Sequence, residues 1–247
     1  YGYNIHQGLE YPMEKERKIN YYKEGFHSLI NFSFVYDAKQ GYESLFQAYA
    51  DKLHNTDLKD YSVLNYLSSH DDSNPFDAQR NKPFEAATKL LLAPGASQVY
   101  YGDETARKLV VPGAEGDVNL RSFMNWEELE SGEERPEGYT AAQVLAHWRK
   151  LGRFRREHIA VGAGEHRRLS EKPYIFARTF EGNGVADAVV VGLDLPQADT
   201  QTVEVKDVFE DGTVLKDYYS QQEVTVDGGK VVVETPADMV LLGKPMK

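Results

Sequence analysis

His70 and Asp71 stand side by side, followed by a second carboxylate at Asp72, in the stretch Asn-Tyr-Leu-Ser-Ser-His-Asp-Asp that begins at Asn65. An imidazole beside a carboxylate offers hydrogen-bond donor and acceptor on one short segment. The residues leading into it, Val63, Leu64, Tyr66 and Leu67, form an apolar-aromatic run of the kind that makes a buried strand. Either that strand delivers charged groups to a reaction site, or it simply stops at solvent and His70 and Asp71 cap the following turn, as Asp and Ser often do.

Composition removes several kinds of chemistry. The 247 residues include no cysteine, so disulfides, thiolate catalysis and Cys-ligated zinc or iron–sulfur sites are excluded. A net charge of −11 argues against electrostatic binding to nucleic acid or to an anionic membrane surface. No apolar run approaches the length of a membrane span, and the first residues lack the apolar middle of a signal peptide. The chain reads as soluble, with the compartment left open between secreted or periplasmic and cytoplasmic. No GxGxxG or Walker pattern occurs, so nucleotide binding has no support. There is no His-x-x-x-His pair and no EF-hand loop, and no metal site is expected. His147 and His158 lie among arginines and read as surface groups. Glu127, Glu128, Glu130, Glu133 and Glu134 read as a solvated loop.

The elements that must position His70 and Asp71 show in the periodicity. Leu29, Ile30, Phe32, Phe34 and Val35 suit a strand buried on both faces. Tyr42, Leu45, Phe46, Tyr49 and Leu53 recur at helical spacing within 39–55. After the strand 62–69 and a turn-rich stretch, Pro83 opens a helix that Pro94-Gly95 stops. A short strand follows from Ala96, and 104–138 reads as one long loop. Val144, Leu145, Trp148, Leu151 and Phe154 stripe a last helix, with Arg153, Arg155 and Arg156 at its negative end. Strand and helix thus alternate three times, the sign of parallel βα units. Beyond about residue 160, short β-rich runs separated by turns such as Asp211-Gly212 and Asp227-Gly228-Gly229 predict a small antiparallel sandwich.

Taken in order, these segments resemble the C-terminal part of the α-amylase-type glycoside hydrolases of family 13. The stretch from Gly25 to Phe34 is similar to the family's sixth barrel strand, and Asn65 to Asp72 to its seventh, which carries a His-Asp pair. Leu90 to Glu104 is similar to the helix, the eighth strand and the Tyr-Gly-x-Glu that follows it. Asn119 to Trp126 is similar to an Arg-Ser-Pro-Met-x-Trp stretch, with Phe123 where Pro is usual. Ser69 also departs from the family, which has Asn before the His-Asp pair.

The resemblance implies an α/β plus all-β chain: strands six to eight of a (β/α)8 barrel in 1–159, then a β-sandwich in 160–247. It implies Asp71 as a carboxylate that grips sugar hydroxyls during catalysis, His70 as a donor to a neighbouring hydroxyl, Tyr101 and Arg121 as further substrate-binding residues, and Glu104 close by in structural support. Arg121 with Trp126 would anchor the long loop, unless they are a surface Arg and a packing Trp. Tyr1, Tyr3 and His6 would line the groove; Asp77 and Arg80 would shape its rim or form a solvated pair. The family's nucleophilic Asp and acid/base Glu would lie before Tyr1. The chain, which has no initiator Met, would then be a C-terminal fragment, inactive alone, and its open barrel edges would either drive self-association or be covered by a rearrangement of its first residues. The implied ligand is starch, another α-glucan or a maltooligosaccharide. No cofactor is expected; Ca2+ in a longer parent would have its ligands outside this chain. A family transglycosylase or isomerase such as trehalose synthase, and a non-catalytic carbohydrate-binding protein, stay open as alternatives.

Overall fold

The computed structural model describes residues 3–246, folded as two compact units that meet in sequence between Arg149 and Lys150. The first is built on a parallel sheet of three strands, β1 (Ser28–Asn31), β2 (Ser62–Asn65) and β3 (Ala96–Ser97), in chain order. Helix α1 (Tyr42–His54) links β1 to β2, and α2 (Pro83–Leu92) links β2 to β3. After β3 come α3 (Trp126–Ser131) and α4 (Ala141–Glu157). Helix α1 forms as its spacing predicts, burying Leu45, Phe46, Tyr49 and Leu53 on one stripe. Gly95 ends α2 at φ +94°, where a Cβ would sit 3.0 Å from the Val63 carbonyl oxygen, so only glycine lets this turn approach β2.

Register sets the two faces of the sheet. On one face Asn31 and Asn65 are opposed and fully buried, joined by a 2.9 Å amide-to-amide hydrogen bond. Asn31 also accepts from the Ile5 amide at 3.2 Å and donates to the Tyr49 hydroxyl at 2.9 Å, while Asn65 donates to the Pro94 carbonyl at 2.9 Å. On the other face Ile30, Leu64 and Ala96 stand in one row across the three strands, exposed or half-exposed. The outer edge of β1 carries one parallel bridge, Tyr3 to Asn31, with the Phe32 amide donating to the Tyr3 carbonyl at 2.8 Å.

Three expectations are corrected here. The strand from residue 28 is short and is not buried on both faces: Ile30 and Phe32 are exposed because nothing among the described residues covers that side. Phe34 and Val35 leave the strand for a helical turn, Phe34–Asp37, and are buried there. The 104–138 loop contains a 3-10 turn, Gly116–Arg121, and α3, which takes up part of the acidic run; Glu128 is paired there with Arg135.

The second unit is antiparallel. Strands β4 (Glu165–Ser170), β5 (Tyr174–Gly182), β6 (Val185–Leu193), β8 (Val214–Asp217), β9 (Glu223–Thr225) and β11 (Val240–Gly243) form one sheet in the order β9-β8-β11-β6-β5-β4. Strands β7 (Thr200–Glu204) and β10 (Lys230–Glu234) pair with each other. Ile175, Val190, Val203, Leu215, Val231, Val233, Val240 and Leu242 from both sets share one buried cluster. The β5–β6 hairpin turns through Asn183-Gly184, both at positive φ, the turn chemistry that matches strand twist.

Both helix histidines are buried, against the surface reading. The His147 ring nitrogen Nε2 lies 3.2 Å from the Thr88 hydroxyl and 3.1 Å from the Phe84 carbonyl. His158, 1% exposed, pairs through Nδ1 with Asp187 at 2.9 Å and packs on Phe154 and Tyr218. Each imidazole finds a polar partner inside through one ring nitrogen, while Nε2 of His158 is buried without one; a sequence of surrounding arginines hides both sites.

Candidate functional site

The site is built at the carboxyl ends of β2 and β3. Strand β2 ends at Asn65, and the chain stays buried through Tyr66, Leu67 and Ser68 before it emerges. His70 and Asp71 are then open, with side chains 65% and 60% exposed and the imidazole Nε2 3.6 Å from Asp71 Oδ2. Ser69 donates from its hydroxyl to Asp71 Oδ1 at 2.9 Å, which orients the carboxylate. Asp72 accepts from the Asn74 amide at 2.8 Å, the turn-forming use expected of it. Tyr66 was read only as part of the apolar run. Its ring meets Phe32 edge-on at 5.6 Å. Burial first, then the charges of Asp72 and Asp71, push the Tyr66 phenol well above its ordinary value.

Arg121 reaches the same place from the loop after β3. Its Nε donates to the His70 carbonyl at 2.9 Å, and its Nη2 pairs with Asp117 at 3.0 Å. Tyr101 lies two hydrogen-bonded steps away: its hydroxyl donates to the Ser122 carbonyl at 2.9 Å while its ring stays partly exposed. Glu104 accepts from the Gly102 amide at 2.9 Å and so shapes the turn after β3. His70, Asp71, Arg121 and Tyr101 are thus brought to one end of the sheet by three separate loop contacts.

Other expected members sit elsewhere. Trp126 is exposed, so it does not anchor the loop with Arg121. Asp77 and Arg80 are buried and are not paired with each other: Asp77 accepts from the Asn81 and Lys82 amides at 2.8 Å, and Arg80 pairs with Asp103 at 2.6 Å. Tyr3 is buried against Tyr22, and His6 pairs with Asp37 at 2.8 Å; Tyr1 lies outside the described residues. The anchor that sequence reading missed is Arg107, 2% exposed, which bonds the backbone and side chains of the loop that carries Arg121. Nothing in the string Thr-Ala-Arg-Lys-Leu separates a buried arginine from a solvated one.

Among the described residues no group of three or more His, Asp or Glu converges to hold a metal ion, and no helix is long and apolar enough to cross a membrane. What the arrangement can do is bind: an exposed carboxylate and imidazole, on a segment fixed by Arg121, offer acceptors and a donor to adjacent hydroxyls.

The chain is 38% identical over 166 residues to the periplasmic alpha-amylase of Escherichia coli strain K12, a match covering 64% of this chain and 22% of that protein. It therefore spans about a fifth of the length of that relative. No family model matches. Among solved structures, the alpha-amylase of Geobacillus thermoleovorans, complexed with acarbose, superposes with a TM-score of 0.61 at 18% identity, over 92% of this chain and 50% of that one. The Anoxybacillus alpha-amylase superposes with a TM-score of 0.54 at 19% identity, over 92% of this chain and 49% of that one. At those identities the solved structures speak to the fold, and the Escherichia coli relative to the sequence. The chain is thus similar in sequence to one alpha-amylase and similar in fold to two others.

Proposed function

We propose that this chain supplies strands six to eight of an α-amylase-type (β/α)8 barrel, with 1–159 as the barrel portion and 160–247 as the sandwich. In that role it holds the sugar-gripping face of a retaining hydrolase of α-1,4-glucosidic bonds. The observation that carries the reading is the exposed His70–Asp71 pair at the carboxyl end of β2, where barrel enzymes keep their chemistry. The uncovered row Ile30–Leu64–Ala96 supports it, since inward-facing residues of barrel strands pack against strands that this sheet does not include. An acarbose complex of the Geobacillus thermoleovorans enzyme supports an oligosaccharide as ligand.

Retaining hydrolysis runs through a nucleophile and an acid/base roughly 5–5.5 Å apart, with an oxocarbenium-like transition state between them. Asp71 serves as a third carboxylate, tightening on ring hydroxyls as the sugar distorts, and His70 donates to the next hydroxyl. The nucleophile and acid/base belong to segments not in these 247 residues, so the chain alone binds without cleaving. Open edges and the apolar row would lead it to self-associate. For location we propose the periplasm, the compartment in the name of the Escherichia coli relative.

The deciding experiment is a soluble-starch assay of the 247-residue chain beside a maltotriose titration. Binding without turnover is expected. Clear turnover by the chain alone would overturn the division of roles.

A further inference from the structure

We infer that Arg107 is a positioning residue for the His70–Asp71 pair, acting through Arg121; this rests on the sugar-binding reading above. The guanidinium is 2% exposed and divides its donors between the Tyr101 carbonyl and the two neighbours of Arg121, with none to Arg121 itself. Nη2 donates to the Leu120 carbonyl at 3.2 Å and to the Tyr101 carbonyl at 2.9 Å, and Nη1 donates to the Ser122 hydroxyl at 2.7 Å. Two tyrosines reinforce the same residues: Tyr100 donates to the Leu120 carbonyl at 3.0 Å and Tyr101 to the Ser122 carbonyl at 2.9 Å. With 120 and 122 held, the backbone at 121 has one direction to present its side chain. That direction ends 2.9 Å from the His70 carbonyl.

The contacts close on themselves. Arg80 donates from Nε to the Arg107 carbonyl at 2.7 Å and from Nη2 to Asp103 at 2.6 Å. Asp103 in turn accepts from the Ser68 hydroxyl at 2.6 Å, two residues before His70. The His70 segment is therefore held at both ends, at Ser68 through Asp103 and at the His70 carbonyl through Arg121, and Arg107 is the residue that joins the two paths. A planar fork of donors is what makes this possible; a lysine carries the charge without the fork. The site is also shaped for it. Gly102 sits at φ +87° with its would-be Cβ 2.4 Å from Arg107 Nε, and the guanidinium lies 4.1 Å from the centre of the Tyr101 ring.

The test is a double-mutant cycle in the 247-residue chain with Arg107→Lys, Ser122→Ala and Arg121→Gln, read by amide hydrogen exchange and by maltotriose titration. Arg107→Lys, and to a lesser degree Ser122→Ala, are expected to speed exchange both in 119–123 and in 69–73. Both are expected to weaken maltotriose, Arg107→Lys by about tenfold, the size of one lost hydrogen bond. In the Arg121→Gln background Arg107→Lys should weaken it no further, because the path is already cut. Faster exchange confined to 119–123, or an equal loss of affinity in both backgrounds, overturns the assignment. Ser122→Ala keeps the question open to a result should the lysine variant fail to fold. If the native chain binds no maltotriose, the sugar-binding reading falls, while the exchange pattern still decides the role of Arg107.

Discussion

Arg121 and His70 are 51 positions apart in sequence, and Arg121 Nε donates to the His70 carbonyl at 2.9 Å. The contact is to backbone, so it sets where the His70–Asp71 segment lies without using the imidazole or either carboxylate. Those groups stay open to solvent, and to a ligand.

Asp71→Asn tests the carboxylate itself. The side chain is mostly exposed and its one strong partner is the Ser69 hydroxyl, which an amide oxygen can also accept from. Stability should stay within about 0.5 kcal/mol of native, as for surface substitutions generally. Maltotriose affinity should fall by about tenfold or more, since hydrogen bonds to a charged acceptor are the stronger ones. Thermal unfolding beside calorimetric titration separates the two effects. Unchanged affinity would remove Asp71 from the site.

Gly102→Ala should destabilise more than Gly132→Ala. Both glycines have positive φ, +87° and +66°, but only Gly102 has a neighbour in the space a methyl would fill, Arg107 Nε at 2.4 Å. The backbone strain common to both is about 1 kcal/mol; at Gly102 the displaced guanidinium adds to it, for about 2–3 kcal/mol in all. Urea midpoints of the two variants measure the difference, and equal midpoints would mean that the Gly102 turn relaxes freely.

The helices α1, α2 and α4 were legible in the sequence because each carries a long stripe at one period and a clear stop, such as Pro94-Gly95. The strands were less so. Residues 29–35 read as one apolar run, yet the chain turns helical at Phe34, because a run without alternation does not say where pairing ends. Strand β4, Glu-His-Arg-Arg-Leu-Ser, gave no apolar signal since it lies at a sheet edge with none of its side chains fully buried. His70 and Asp71 were legible as residue types beside a strand end, and Arg121 only through the stretch Asn119 to Trp126 that resembles the family's. Arg107, Tyr66 and Asp103 were not, because their part depends on burial and on partners tens of residues away.

Acid should weaken the second unit through Asp187. Burial raises this carboxyl, but hydrogen bonds from His158 and from the Ala160 amide outweigh it, and the group sits below its ordinary range. A depressed folded value means that the stabilisation is fully present above the unfolded value, about 3.9, and is lost as pH falls through the folded one. Asp187→Asn should be less stable than the native chain at neutral pH and should lose much of the slope below about pH 4. Urea unfolding followed from pH 7 to pH 2.5 checks both, and parallel curves for the two proteins would deny Asp187 the role.

The Ile30–Leu64–Ala96 row leads to the last expected outcome. Apolar side chains on an uncovered sheet face, beside a β3 strand of two residues with no further strand on its outer edge among the described residues, favour pairing with another chain. The β1 edge is partly closed by the Tyr3 bridge, so the face and the β3 side should drive association. Light scattering should therefore give the native chain a mass above the 28.0 kDa of one copy. Ile30→Lys with Leu64→Lys should return it toward a single copy, because a buried ammonium without a partner is too costly to keep in a contact. Both side chains already meet solvent in the single chain, so the change should leave the monomer's fold intact. A native chain that scatters as one copy at all concentrations would mean that the open face needs no cover, and with it the barrel-portion reading would lose its physical support.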